Sequence, residues 1–314
     1  MTVINTVIKI KPVTEEEWIL NDPFNIKMAE KFLRQQTLSD KTLKQYRSAI
    51  RIFLRFVKDE MDNKPIHKLR PRHALEYQEY LMSIGLSSNA VKFKRSVVSS
   101  LCNYIEVYYG EDYPDFRNIF NKAIPNPPKE LVKEKLVLTK DDIDRVVNAL
   151  EEEKQYQMIA YFLLSYSSGA RRAEIAQVKK VFFDFKKAKG KDYYVTPEVR
   201  GKGRGKAGKK IKLKYDDRAR EAVLKWLKVR GEDDEEHVFV RKYNNGRVHP
   251  LNPDTFNEWF KKKFNPILGF DLSPHGLRRS RATHLVVEEG KNIEVASALL
   301  NHSSTEVTKH YVMK

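Results

Sequence analysis

A single cysteine, Cys102, in 314 residues leaves this chain no internal disulfide framework and no Cys-rich zinc or iron–sulfur site. Long hydrophobic runs are missing as well. The longest apolar stretch, Met158 to Tyr166, falls far short of the ~20 residues a bilayer span needs. The start, MTVINTVIKIKPVTEEE, has no basic region followed by an apolar block, so no secretory signal is expected. No internal repeat, Walker loop, H-E-x-x-H pair or carboxylate–histidine cluster with metal spacing is present. These absences predict a soluble intracellular protein with no membrane partner. Acid is also scarce: 42 Asp and Glu face 59 Lys and Arg, a formal charge of +17. That imbalance points to an anionic partner, nucleic acid before a membrane surface.

What the chain does contain is enough apolar residue, 41%, for a core, and enough length for about two domains at roughly 150 residues each. The break falls at IPNPPKE, Ile124 to Glu130, where three prolines in four positions favour an extended linker over helix. We read 1–21 as an N-terminal extension, 22–124 as a helical domain, 125–135 as the linker and 136–314 as a second domain. In the first domain, Leu43, Tyr46, Ile50, Phe53, Leu54 and Val57 recur at helical spacing and form one apolar face, with Ser39 or Asp40 as its N-cap. PRHALEYQEYLMSIG ends at Gly85, and SSNAVKFKRSVVSSLCNYIEVYYG runs from a Ser cap to Gly110. Four or five helices are expected there. After the linker, Thr139 and Asp142 form a capping box ahead of an apolar helix broken at Ser167-Ser168-Gly169. DYYVTPEVRGKGRGKAGKKIKLKY then alternates as a β-hairpin, and HVFVRKYNNGRVHPL is a strand with an Asn-Gly turn. The fold class is therefore mainly α with a small antiparallel β-sheet, an N-terminal helical bundle followed by a mixed α+β domain.

Several basic groups stand out. Lys44, Arg47 and Arg51 step by three and four on one helix, and Lys92, Lys94 and Arg95 sit near the start of another. Such charges usually form a solvated face; in so basic a chain they are candidate phosphate contacts. In the second domain, Arg171 and Arg172 follow the glycine break in SSGARRAEI, where the apolar flanks place at least one guanidinium in a cleft that needs an anion. Val199 to Lys214 holds eight Lys/Arg, four Gly and no acid, which makes a basic hairpin tip including Arg200, Lys202, Arg204 and Lys206. In SPHGLRRSRATHL, Pro274 suits the first turn of a helix, and His275 and Arg278 share one face in the turn where N–H groups favour anions. Arg279 beside them is a further DNA-contact candidate. In LLNHSSTEVTKHYVMK, His302 precedes Tyr311 by nine residues, with His284 and His310 also near, so composition alone leaves the choice of histidine open.

Metal-free attack on a DNA phosphate needs a nucleophile, stabilisation of the charge that builds at phosphorus, and a proton donor for the leaving oxygen. Tyrosine, two arginines, two histidines and a lysine supply all three. Guanidinium forks match phosphate oxygens. A histidine can take the phenol proton, because a free phenol with a pKa near ~10 is a poor nucleophile at neutral pH. A lysine can protonate the departing 5′-oxygen.

These residues resemble the tyrosine recombinase (phage integrase) family over most of the chain. SSGARRAEI is similar to the family's TGLRxSEL box, RGKG to its lysine hairpin, SPHGLRRSRATHL to its H-x-L-R box with the ATHL continuation, and LLNHSSTEVTKHY to LLGHSxxxTTxxY. LSDKTLKQYRSAIRIFLRF resembles the helical, SAM-like core-binding domain. The resemblance implies a catalytic set of Arg171, Lys202, His275, Arg278, His302 and Tyr311, with Glu174 as the structural partner of Arg171. It implies strand cleavage through a 3′-phosphotyrosine without metal, ATP or other cofactor. It also implies duplex DNA as partner, clamped between the two domains, a homo-oligomer forming a tetrameric synapse, and a cytoplasmic, nucleoid-associated location. Integration or excision of a mobile element is the first expected role, ahead of chromosome-dimer resolution. A type IB topoisomerase-like activity and a DNA-binding regulator without chemistry are the alternatives. Three residues follow Tyr311 in this sequence, which leaves cleavage in cis or in trans open.

Overall fold

The computed structural model describes residues 10–34, 38–120, 124–128, 136–187, 189–203 and 208–312. The chain divides between Val132 and Lys133 into two compact units. The first is helical: α1 (Glu15–Ile19), α2 (Pro23–Leu33), α3 (Asp40–Glu60), α4 (Pro71–Ser83) and α5 (Ser88–Tyr108). The apolar stripe of α3 is what builds its core. Ile50, Phe53, Leu54 and Val57 are buried with Met28 and Phe32 of α2, Tyr77 and Leu81 of α4, and Leu101 and Ile105 of α5. Side-chain caps fix the helix starts, each typically worth about 1 kcal/mol: the Ser39 hydroxyl accepts from the Thr42 N–H, and the Ser87 hydroxyl from that of Ala90. Gly85, at φ 77°, supplies the left-handed residue that ends α4. The extension expected over 1–21 carries α1, whose Trp18 is buried in this same core together with Val13.

The second unit comprises α6 (Lys140–Glu152), α7 (Tyr156–Ser168), α8 (Arg172–Ile175), β1 (Tyr194–Val195), β2 (Val199–Gly201), β3 (Lys209–Ile211), β4 (Lys214–Tyr215), α9 (Asp217–Arg230), β5 (Val240–Lys242), β6 (Val248–Pro250), α10 (Thr255–Trp259), α11 (Asn265–Leu268), α12 (Pro274–Thr283), α13 (Ile293–Leu299) and α14 (Thr305–Lys309). A π-turn over Phe260–Phe264 joins α10 to α11, and another over His284–Glu288 extends α12. Helix α7 is apolar nearly all round, with Ile159 through Ser165 all buried, because α6, α9 and α12 pack against it. Tyr161 of α7 stacks on Phe256 of α10 with centroids 4.0 Å apart, and Phe162 meets Phe264.

The expected basic hairpin is present as two antiparallel ladders in line, β1 with β4 and β2 with β3. Pro197 interrupts them because it has no N–H to give the ladder. The Thr196 hydroxyl accepts the Leu213 N–H instead, at 3.0 Å. β5 and β6 form a third ladder around the Asn-Gly turn. Among the described residues, no helix is long and apolar enough to cross a membrane.

Candidate active site

Four segments of the second unit converge on one guanidinium. Arg278, on α12, is 1% exposed and yet, among the described residues, has no carboxylate within ion-pairing distance. Its Nη1 donates to the Gly169 carbonyl at 2.5 Å and its Nη2 to the Leu300 carbonyl. Both acceptors come from helix ends, whose last carbonyls are free of intrahelical partners. Gly169 caps α7 at φ 57°, and a Cβ there would stand 2.5 Å from Leu300 Cδ2, so glycine is required by conformation and by packing. Burial, followed by the neighbouring Arg171 charge, pulls the Arg278 guanidinium down to about 10, so it remains a cation at neutral pH. Its Nε has no hydrogen-bond partner among the described residues.

Arg171 stands at the N-cap of α8. Its Nη1 pairs with Glu174 Oε1 at 2.9 Å, and its backbone N–H donates to Glu174 Oε2 at 2.7 Å. Glu174 is buried, which holds the short α8 turn and the direction of Arg171 together. Arg172 takes a different path, pairing with Asp254 at 2.9 Å. Of the two adjacent arginines, Arg171 is the one whose charge acts on Arg278, His275 and His302.

The sequence leaves three histidines open, and the structure separates them. His284 is buried, its Nδ1 2.5 Å from the Tyr166 hydroxyl and its Nε2 2.6 Å from the Leu138 carbonyl, so it is committed to the core. His310 is exposed. His302 lies in the site. Its Nδ1 is 2.9 Å from Thr308 Oγ1, while its Nε2 is buried without a partner among the described residues. Burial first, then Arg278 and Arg171, push it down to about 4, so the ring is neutral at pH 7. Asn301 precedes it at φ 52°, a left-handed conformation that Asn tolerates better than most residues.

Tyr311 follows α14. Its phenol oxygen is 3.3 Å from His275 Nε2, and its ring lies 4.8 Å from that of His302 and 5.7 Å from the Arg278 guanidinium carbon. Its N–H donates to the Thr308 carbonyl at 2.8 Å, and its own carbonyl accepts from the Thr283 hydroxyl at 3.2 Å. His275 occupies the first turn of α12. Its pKa is lowered by the protein packed around the ring and then by Arg278, Arg171, Arg279 and Lys202. Lys202, exposed at the end of β2, therefore adds to the field on His275.

The other expected contacts divide. Lys44 and Arg47 are exposed on α3, and Arg200 is exposed on β2. Lys92 and Lys94 are half-buried, and burial lowers the Lys94 pKa. Arg51 pairs with Glu15 at 2.7 Å and lies over Trp18 at 5.0 Å. Arg95 donates to Gln78 and to the Pro125 carbonyl, and Arg279 to the Leu136 carbonyl at 2.9 Å. Arg204 and Lys206 lie outside the described residues.

Arg171 and Arg278 against Glu174 leave one net positive charge, and Arg278 Nε and His302 Nε2 are both buried without a hydrogen-bond partner among the described residues. A phosphodiester carries the matching single charge, with a phenol beside it.

The Phage integrase family profile matches residues 136–314, and that of the phage integrase N-terminal SAM-like domain matches 26–107. The SPbeta prophage-derived recombinase-like protein YomM of Bacillus subtilis is 32% identical over 98% of this chain and 92% of its own. Tyrosine recombinase XerA of Thermococcus onnurineus is 29% identical over 78% and 77%. Among solved structures, the Tn1549 transposon integrase in complex with a circular intermediate DNA superposes with TM-score 0.70 at 16% identity, covering 93% of this chain and 95% of that one. A lambda integrase tetramer bound to a Holliday junction gives 0.67 at 18%, covering 97% and 82%. The chain belongs to the phage integrase family and is a tyrosine recombinase.

Proposed function

We propose that this recombinase cleaves duplex DNA with Tyr311 acting in cis, on a phosphate gripped by the same chain. The observation that carries this reading is the Tyr311 oxygen 3.3 Å from His275 Nε2, with Arg278 and His302 flanking the ring. Arg171, Arg278 and His302 bind the non-bridging oxygens and the charge that grows on the phosphorane. His275, neutral because its pKa is lowered, takes the phenol proton as the tyrosine oxygen attacks phosphorus. The bond from phosphorus to the 5′-oxygen breaks, and the Lys202 ammonium supplies the proton that oxygen needs. The resulting 3′-phosphotyrosine keeps the phosphodiester energy, so attack by another strand's 5′-hydroxyl rejoins DNA without ATP or metal.

Lys44, Arg47, Lys92, Lys94 and Arg200 are the backbone contacts we assign to duplex DNA. Arg204 and Lys206 remain candidates from the sequence. Arg51 is paired with Glu15 and we assign it no primary phosphate contact, while Arg95 and Arg279, held through carbonyls, stay candidates. The DNA-bound integrases and the lambda tetramer support a synapse of several copies on DNA. The prophage-derived relative supports a mobile-element role, and for an enzyme acting on DNA we propose a cytoplasmic, nucleoid-associated location. Nicked duplexes tiled across the DNA flanking its own gene test the reading. A covalent adduct mapped to Tyr311 by peptide mass spectrometry is expected. Specific binding with no adduct on any of them would leave the DNA-binding regulator as the better account.

A further inference from the structure

Thr308 is fully buried and touches both halves of the site. Its hydroxyl is 2.9 Å from His302 Nδ1, and its carbonyl accepts the Tyr311 N–H at 2.8 Å. A neutral imidazole carries one ring hydrogen, and the nitrogen that holds it is decided by what the other nitrogen meets. If the Thr308 hydroxyl donates to Nδ1, then Nε2 bears the hydrogen and presents a donor to the site. If Nδ1 donates to the hydroxyl, Nε2 presents a lone pair, which would repel a phosphate oxygen. Burial makes the distinction costly, since water cannot reach Nε2 to compensate for the wrong form.

We infer that Thr308 is a positioning residue: its hydroxyl donates to His302 Nδ1 and holds the ring as the Nε2–H tautomer, aimed at a non-bridging phosphate oxygen, while its backbone ties that ring to the segment carrying Tyr311. The inference rests on the function proposed above. The side chain acts on the phosphate only through His302, and the carbonyl contact to Tyr311 is independent of which side chain stands at 308. Thr308→Val keeps shape and backbone and removes the hydroxyl; Thr308→Ser restores it. Partners that orient a metal-ligating histidine are typically worth 10- to 100-fold, and a loss of about that size is expected for this phosphate-facing ring.

The test uses the full chain. Nitrogen NMR of the His302 ring is expected to show Nε2–H in the free wild type and a mixture of tautomers in Thr308→Val. A wild-type ring protonated at Nδ1 overturns the inference whether or not the protein cleaves DNA, whereas absence of a wild-type adduct sinks the recombinase reading alone. On nicked duplex, Thr308→Val is expected to form adduct 10- to 100-fold more slowly at unchanged DNA affinity, with Thr308→Ser within about threefold of wild type. In a His302→Ala background the same change is expected to add no further loss. An undiminished loss in that background, or a Thr308→Val protein as fast as wild type, contradicts the inference.

Discussion

Arg51 in the first unit and Arg278 in the second are both held by their own chain, but by different chemistry. Arg51 meets the Glu15 carboxylate and lies over the Trp18 ring, so its charge is neutralised and its stem packs α1 onto α3. Arg278 meets two carbonyls, from Gly169 and Leu300, and keeps its full charge in a buried position. The Glu15 carboxylate makes Arg51 a staple, whereas the two carbonyls fix the Arg278 fork in place and leave its charge for an incoming anion. Arg230, fully buried against Asp233, is a second staple, and its presence near the acidic run EDDEE shows that burial alone does not mark a functional arginine.

The largest effect expected from this contrast is at Arg278. Arg278→Lys keeps a cation and loses the fork, and adduct formation on nicked duplex should fall by about 10²–10³, the usual cost of removing one preorganised donor, with duplex affinity nearly unchanged. Loss of less than tenfold would mean that the buried fork is structural too. Arg51→Ala should do the converse. It should lower the stability of the first unit by about 1 kcal/mol, from one partly exposed ion pair and one ring contact, and leave the adduct rate on saturating DNA intact. Chemical denaturation followed by Trp18 fluorescence reads the first quantity, and a stable but slow variant would break the comparison.

A pH profile sharpens it further. Because the cations around His275 and the burial of its ring lower its pKa, the basic form persists as pH falls below 6.5. Adduct formation on subsaturating DNA, which reports the free enzyme, should therefore decline toward acid pH with its midpoint below 6.5. His275→Ala should be slow and lack that decline; a wild-type midpoint above 6.5 would argue that His275 is not the base. The smallest effects belong to the exposed pair. Lys44→Ala or Arg47→Ala should each weaken binding slightly and reduce the salt slope of log K by about 0.9 if it meets one phosphate. An unchanged slope would return that residue to the solvated face.

Local pattern makes much of the fold legible in the amino-acid sequence. The α3 stripe, Gly85 at the end of α4, and the Asn-Gly turn between β5 and β6 are decided by residues a few positions apart, and the structure has all three. The boxes around Arg171, His275, Arg278, His302 and Tyr311 are legible through their order along the chain. Pairings across long separations are not. Nothing near Arg51 in sequence announces Glu15 or Trp18, and nothing near Arg279 announces the Leu136 carbonyl. The carbonyls that hold Arg278 carry no residue signature, since every residue has one. Thr308 sits inside the LLNHSSTEVTKHY motif with no role visible there, because a short Ser/Thr-rich segment does not disclose which hydroxyl faces a ring.

Nucleophile and phosphate grip assemble within one chain in the mechanism proposed above, and mixing two inactive proteins distinguishes this from a shared site. Tyr311→Phe retains the grip without the phenol, and Arg278→Ala retains the phenol without the fork. Combined on a nicked duplex that wild type cleaves, the pair is predicted to form no adduct above either protein alone. A covalent adduct on the Tyr311 of the Arg278→Ala protein would show the phenol entering a neighbour's pocket and would contradict the arrangement.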